Sequence, residues 1–155
     1  MQTRTIVFDI STLPGVLGPV RPAYYACCYH VEHRRYEDFD PRQAPAMARL
    51  IKRITSATEL VTFNGAFDLD VLETHYGSVA LTAKHTDMHE VLNSVGRWME
   101  LDEAAWINLG ERKLRATDLV HDPVNRSHVR RACRSDVRQT YKLWVLHQLG
   151  RLKCW

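Results

Sequence analysis

No apolar run in the sequence approaches the ~18 residues that a membrane span requires, so a transmembrane helix is not expected. The amino-terminal stretch MQTRTIVFDI has an early Arg4 but no long apolar core, and a secretory signal peptide is not expected there. Cysteine is scarce. The four present, Cys27, Cys28, Cys133 and Cys154, show no CxxC spacing, and adjacent Cys27 and Cys28 cannot easily bridge each other. The expectation is a reducing, cytoplasmic setting without disulfides and without a zinc site. Repeats, linkers and low-complexity tracts are also lacking, so residues 1–155 are expected to form one domain. A chain of this length can bury a core without covalent or metal staples. Its 45% hydrophobic and 25% charged residues are ordinary for a globular domain and exclude a disordered or fibrous one.

What is present is unevenly charged. The net charge is +3, but residues 1–110 carry 10 basic and 14 acidic side chains, while residues 111–142 carry 9 basic and 4 acidic. A basic carboxy-terminal third fits either a solvated helix face or a polyanionic partner.

Hydrophobic periodicity orders the chain. Residues 4–10, 23–31 and 34–39 read as strands, the last two as a hairpin. Met47, Leu50, Ile51 and Ile54 recur at helical steps after Pro45. Residues 59–63 form a fourth strand, broken by Asn64-Gly65, and residues 67–76 return to a helical period. A short strand at 83–86 and helices at 88–95, 101–109 and 125–149 complete the order β-β-β-α-β-α-β-α-α-α. This predicts an α/β protein with a mixed five-stranded sheet flanked by helices.

Three aspartates stand where that pattern asks for apolar groups. Asp9 interrupts the first strand after Ile6, Val7 and Phe8, and Asp68 opens the helix after the fourth strand. Asp136 lies on the apolar stripe of the last helix with Val129, Cys133, Val137, Thr140 and Trp144. An unpaired buried carboxylate costs several kcal/mol or is protonated. Arginine partners such as Arg130, Arg134 and Arg138 are one remedy, and a hard divalent cation, Mg²⁺ or Mn²⁺, is another. Other nearby carboxylates are Asp70, which helical spacing turns away, Glu73, Glu90, and Asp87, which fits either an N-cap or a metal ligand.

Val7-Phe8-Asp9-Ile10-Ser11, Asn64-Gly65-Ala66-Phe67-Asp68 and Ala132-Cys133-Arg134-Ser135-Asp136-Val137 resemble, in order, the three motifs of the DEDD 3′–5′ exonucleases, which have a ribonuclease H-like fold. Leu101-Asp102-Glu103-Ala104-Ala105 and Leu109-Gly110 resemble the segment before the third motif in exonucleases related to the family B DNA polymerase proofreading domain, tyrosine subclass. The resemblance covers nearly the whole chain. It implies phosphodiester hydrolysis by two divalent ions, Mg²⁺ or Mn²⁺, held by Asp9, Asp68 and Asp136. It further implies a nucleic-acid partner with a single-stranded 3′ end, contacted by Ser11, Leu13, Asn64, Phe67, Arg131 and Arg134. Two positions depart from the pattern: Ser11 replaces a metal-binding glutamate, and Ala132 replaces the tyrosine that orients the attacking water. The departures imply reduced activity, or a catalytically degenerate relative that binds nucleic acid, a nucleotide or a protein partner.

Overall fold

The computed structural model describes residues 4–12, 21–114 and 126–154. Five strands form one sheet: β1 (Thr5–Thr12), β2 (Ala23–His30), β3 (Arg35–Phe39), β4 (Glu59–Thr62) and β5 (Lys84–Asp87). The helices are α1 (Ala46–Thr55), α2 (Gly65–His75), α3 (Met88–Ser94), α4 (Leu101–Leu109) and α5 (Arg126–Gln148). The sheet order is β3-β2-β1-β4-β5, with β1–β2 and β2–β3 antiparallel and β1–β4 and β4–β5 parallel. This is the mixed α/β sheet expected from the pattern of the sequence. Leu13 lies outside the described residues, as does most of the polar stretch between α4 and α5.

Alternation along β1 divides the core in two. Ile6, Phe8 and Ile10 face the side where α1 brings Met47, Leu50 and Ile54 and α2 brings Val71 and Leu72. Val7 faces the other side, with Met88 and Leu92 of α3, Leu101 and Ala104 of α4, and Cys133, Val137 and Leu143 of α5. The period of two places Asp9 on the same face as Val7. The helix α1 earns its position through a one-sided apolar stripe, with Lys52 and Arg53 in its last turn favouring the carbonyl end.

The strands do not run equally far. The parallel pairing of β1 with β4 covers Thr5↔Glu59 to Val7↔Val61, whereas the antiparallel pairing with β2 continues to Thr12↔Ala23. Beyond Val7 the β4 side of β1 is vacated, because the chain turns at Asn64 into α2. Asn64 adopts a left-handed conformation (φ 63°), which asparagine tolerates better than most residues. Gly65 follows because no side chain fits: a Cβ there would meet Thr62 Oγ1 at 2.2 Å and Thr62 Cβ at 2.7 Å.

Thr62 is itself fully buried and bonded to His85 Nε2 at 2.9 Å, so it cannot yield cheaply. Gly65→Ala is therefore expected to cost on the order of 1–3 kcal/mol by overpacking. Chemical unfolding checks this, and Ala66→Ser on the exposed neighbouring position should be close to neutral.

Candidate active site

The vacated edge of β1 is where the first two aspartates meet. Asp68, one turn into α2, points back at β1 and accepts the Ile10 backbone N–H at 3.1 Å through Oδ1. That N–H has no β4 partner, so the carboxylate completes the sheet while being drawn beneath its surface. Asp68 is 2% exposed. Asp9, on the next outward position of the strand, opens onto a cleft of about 340 Å³. Asp136 enters from α5, and α5 packs across β1, β2 and β4. It is 6% exposed, and its Oδ1 is buried without a hydrogen-bond partner. The structure thus brings the three sequence-predicted aspartates to one cleft.

The cleft is also lined by Ser11, Asn64, Phe67 and Ala132, four further positions that the sequence singled out. Phe67 is 43% exposed, an apolar ring held open on the rim. Arg131 and Arg134 lie in an adjoining hollow with Arg112 and Arg138, and Leu114 lines both hollows. Arg134 is engaged by Asp38, with Nε at 2.9 Å from Oδ1, and lies over the Tyr36 ring. Arg131 is exposed and contacts His128 Nδ1 at 3.5 Å.

Two residues of the cleft carry no sequence signal. Lys113, in the polar stretch after α4, reaches in and places Nζ 2.9 Å from Asp136 Oδ2. Glu100, at the N-cap of α4, lines the same cleft. Asp70, Glu73 and Glu90 are exposed and line no part of the cleft, in keeping with the outward orientation read for Asp70. His85 bonds Thr62, and His89 packs against Phe63 and Trp98.

Asp87 serves as a clamp. At the end of β5 it caps α3 by accepting the His89 N–H at 3.0 Å. The same carboxylate accepts the Asn64 N–H at 2.8 Å and the Gly65 N–H at 2.7 Å. It thereby fixes the turn that delivers Asp68. Of the two readings open for Asp87, the N-cap is the one the geometry supports.

The electrostatics of the aspartates follow from enclosure and mutual repulsion. Burial, and then the neighbouring Asp9, Asp87 and Asp136, push Asp68 well above the usual carboxylate range. Burial also raises Asp9, against the opposing pull of Lys113 and of the Cys133 thiol, whose Sγ lies 3.3 Å from Asp9 Oδ2. Burial and the charge on Asp9 raise Asp136 to about 7, although Lys113 opposes this. Burial alone would lower Lys113, but Asp136 and Asp9 outweigh it and keep the ammonium charged. One ammonium thus serves two of the three aspartates, Asp136 and Asp9. The orphaned Asp136 Oδ1 and the all-oxygen donor set fit a hard divalent cation, which would be held by Asp9, Asp68 and Asp136.

No protein-family model matches the chain, and no curated protein matches its sequence. Solved structures do match its shape. RNase D of Trypanosoma brucei in complex with RNA U12 superposes with a TM-score of 0.68 at 12% identity, covering 90% of this chain and 53% of that one. RNase D of Escherichia coli, an exoribonuclease involved in structured RNA processing, gives 0.65 at 15% identity, covering 97% and 39%. NrnC of Brucella melitensis with bound Mg²⁺ gives 0.63 at 18% identity, covering 97% and 77%. The chain therefore spans about half the length of the RNase D structures it matches or less. The fold is ribonuclease H-like, shared with exonucleases. A kinship nearer to the polymerase proofreading domains, expected from residues 101–110, finds no counterpart among these structures.

A raised carboxylate pKa has a defined sign in the pH dependence of stability. An unfolded aspartate titrates near ~3.9. Between that value and about 7, the folded state holds a proton on Asp136 that the unfolded chain has released. Folding stability contributed here is greatest at the acid end and falls as pH rises through this window. Asp136→Asn should flatten the decline between pH 4 and 7, measured by urea unfolding at several pH values. Added Mg²⁺ should stabilise the parent more at pH 8 than at pH 5, because only the ionised carboxylates bind it.

Proposed function

We propose that this protein is a metal-dependent 3′–5′ exonuclease that hydrolyses the terminal phosphodiester of a single-stranded nucleic acid. The observation that carries the proposal is the convergence of Asp9, Asp68 and Asp136 on one open cleft, with Asp136 Oδ1 buried and unpartnered. The order of these carboxylates along the chain, and their places on β1, α2 and α5, agree with the motif order of the DEDD exonucleases. The ribonuclease H-like fold and the Mg²⁺ and RNA found in structural neighbours support the same reading.

Divalent ions in such a site supply a Lewis acid for the attacking water and for the leaving 3′ oxygen. The chain's own residues do the rest. Asp9, Asp68 and Asp136 provide the anionic ligands. Phe67, open on the rim, offers a face on which the terminal base can stack. Lys113, already charged and drawn toward Asp136, can donate to a phosphate oxygen or to the attacking water. This gives it a part of the work that a tyrosine in place of Ala132 would otherwise perform. The hollow beyond Leu114, with Arg112, Arg131, Arg134 and Arg138, continues the cleft as a basic track for the preceding phosphates.

A second reading has its own observation. Lys113 neutralises Asp136 internally, and Ser11 and Ala132 remove two groups from the pattern, which suits a protein that binds nucleic acid, a nucleotide or a protein partner without cleaving it.

Degradation of a 5′-labelled single-stranded oligonucleotide, DNA and RNA separately, with Mg²⁺ or Mn²⁺, decides between the two. The exonuclease predicts a ladder shortening from the 3′ end, lost by at least 100-fold in Asp9→Asn because a metal ligand is removed. Lys113→Ala should lower the rate by roughly 10- to 100-fold, within the range of general acid–base and electrostatic contributions. Binding without cleavage by the parent, with cleavage gained in the Ser11→Glu, Ala132→Tyr double variant, establishes the second reading. Arg131→Ala should reduce the slope of log affinity against log salt by about 1 in either case.

A further inference from the structure

The far end of the β2–β3 hairpin holds a second cluster of ligand-type side chains, on the opposite face of the sheet from the aspartates. Cys28 and His30 are two residues apart on β2, so both project to one face. Glu37 of β3 stands directly across from Cys28 in the antiparallel register. The three ligand atoms, Cys28 Sγ, His30 Nε2 and a Glu37 carboxylate oxygen, all lie within 4.8 Å of one another. Among the described residues no other trio of histidine, cysteine or carboxylate groups is so close.

His30 stands between the other two groups. His30 Nε2 lies 2.9 Å from Glu37 Oε2 and 3.4 Å from Cys28 Sγ. One ring nitrogen carries at most one hydrogen and cannot donate to both. Arg53 Nε also donates to Glu37 Oε2, at 3.0 Å. Glu37 Oε2 thus meets both Arg53 and His30. The sulfur–nitrogen spacing of 3.4 Å suits a tetrahedral centre. A metal–sulfur bond of about 2.3 Å and a metal–nitrogen bond of about 2.0 Å put sulfur and nitrogen about 3.5 Å apart at the tetrahedral angle.

We propose that Cys28, His30 and Glu37 form a binding site for one divalent cation of the Zn²⁺ class. Thiolate, imidazole and carboxylate together select a borderline-soft ion over Mg²⁺. The cation displaces the Cys28 thiol proton to solvent as the metal–sulfur bond forms, and no electrons change hands. Of the three, His30 also lines a hollow of about 210 Å³, which it shares with Arg53 and His33. The His33 ring, on the turn of the hairpin, has its centroid 6.4 Å from that of His30, within reach of a common ion after a rotamer change. The site would tie the outer hairpin together at a point remote from the cleft. The sequence conceals it, because strand pairing rather than a CxxC spacing assembles the ligands.

Co²⁺ titration of the reduced, metal-free 155-residue chain tests the site, read by the thiolate-to-cobalt charge-transfer absorption. The expected result is one equivalent of Co²⁺ giving that band, its displacement by Zn²⁺, and a rise in Tm with Zn²⁺. Cys28→Ser should abolish the band, Glu37→Gln should weaken Co²⁺ affinity at least tenfold, and Cys133→Ser should retain the band. Oxygen-only binding at the aspartate cleft gives no thiolate band, so the two sites are read separately. Absence of the band in the parent overturns the proposal, as does its survival in Cys28→Ser or its loss in Cys133→Ser alone.

Discussion

Repulsion among three carboxylates held in one partly dehydrated cleft is the constraint around which this molecule is arranged. Asp9, Asp68 and Asp136 come from elements far apart in sequence, and each is raised by its surroundings. Such a grouping opposes folding, so the surrounding structure must hold it. It does so by giving each aspartate a different support. Asp68 takes the Ile10 N–H, Asp9 faces the Cys133 thiol, and Asp136 faces Lys113. The supports are incomplete, as the unpartnered Asp136 Oδ1 attests. An arrangement that leaves negative charge under-compensated is suited to a cationic ligand and wasteful otherwise.

The backbone makes this possible through unequal strand lengths. Because β4 stops at Thr62 while β1 continues to Thr12, the sheet has a step at its centre, at the carboxyl ends of the parallel strands. In α/β sheets this is where ligands are commonly bound. The step exposes one backbone N–H to a side chain, admits α2 over the edge, and leaves the cleft floor open to α5. The basic residues of α5 then fall beside the cleft, although several are committed to Asp38 and Glu111 rather than to solvent.

Much of this was legible in the residues. The three aspartates declared themselves by violating the apolar patterns of β1 and α5 and by their motif context, and the sequence-predicted strands fall within a few residues of the observed ones. The apolar pattern of the sequence ends the first strand at Ile10. It reaches Thr12 because β2 pairs with its polar end, and pairing between segments is not written in either one alone. The helix α2 starts at Gly65 rather than Phe67 because a carboxylate 22 residues later holds the amide there. Lys113 and Glu100 carry no such signal, for a related reason. Each sits where the chain has no periodicity to break, so a charged residue looks ordinary until the fold brings it into the cleft. Cys28, His30 and Glu37 were hidden by register, which converts distant positions into neighbours.

The carboxylate of Asp87 accepts backbone N–H groups from Asn64, Gly65 and His89. It therefore joins the outermost parallel strand, the turn into α2 and the start of α3 in a single knot of amide protons. Edge strands ordinarily fray independently of the centre of a sheet. Here fraying of β5 would release the Asn64–Gly65 turn as well, and with it the helix that presents Asp68. The rim of the sheet and its central carboxylate thus belong to one cooperative opening unit, and the integrity of the cleft is set in part by a strand at the edge of the sheet.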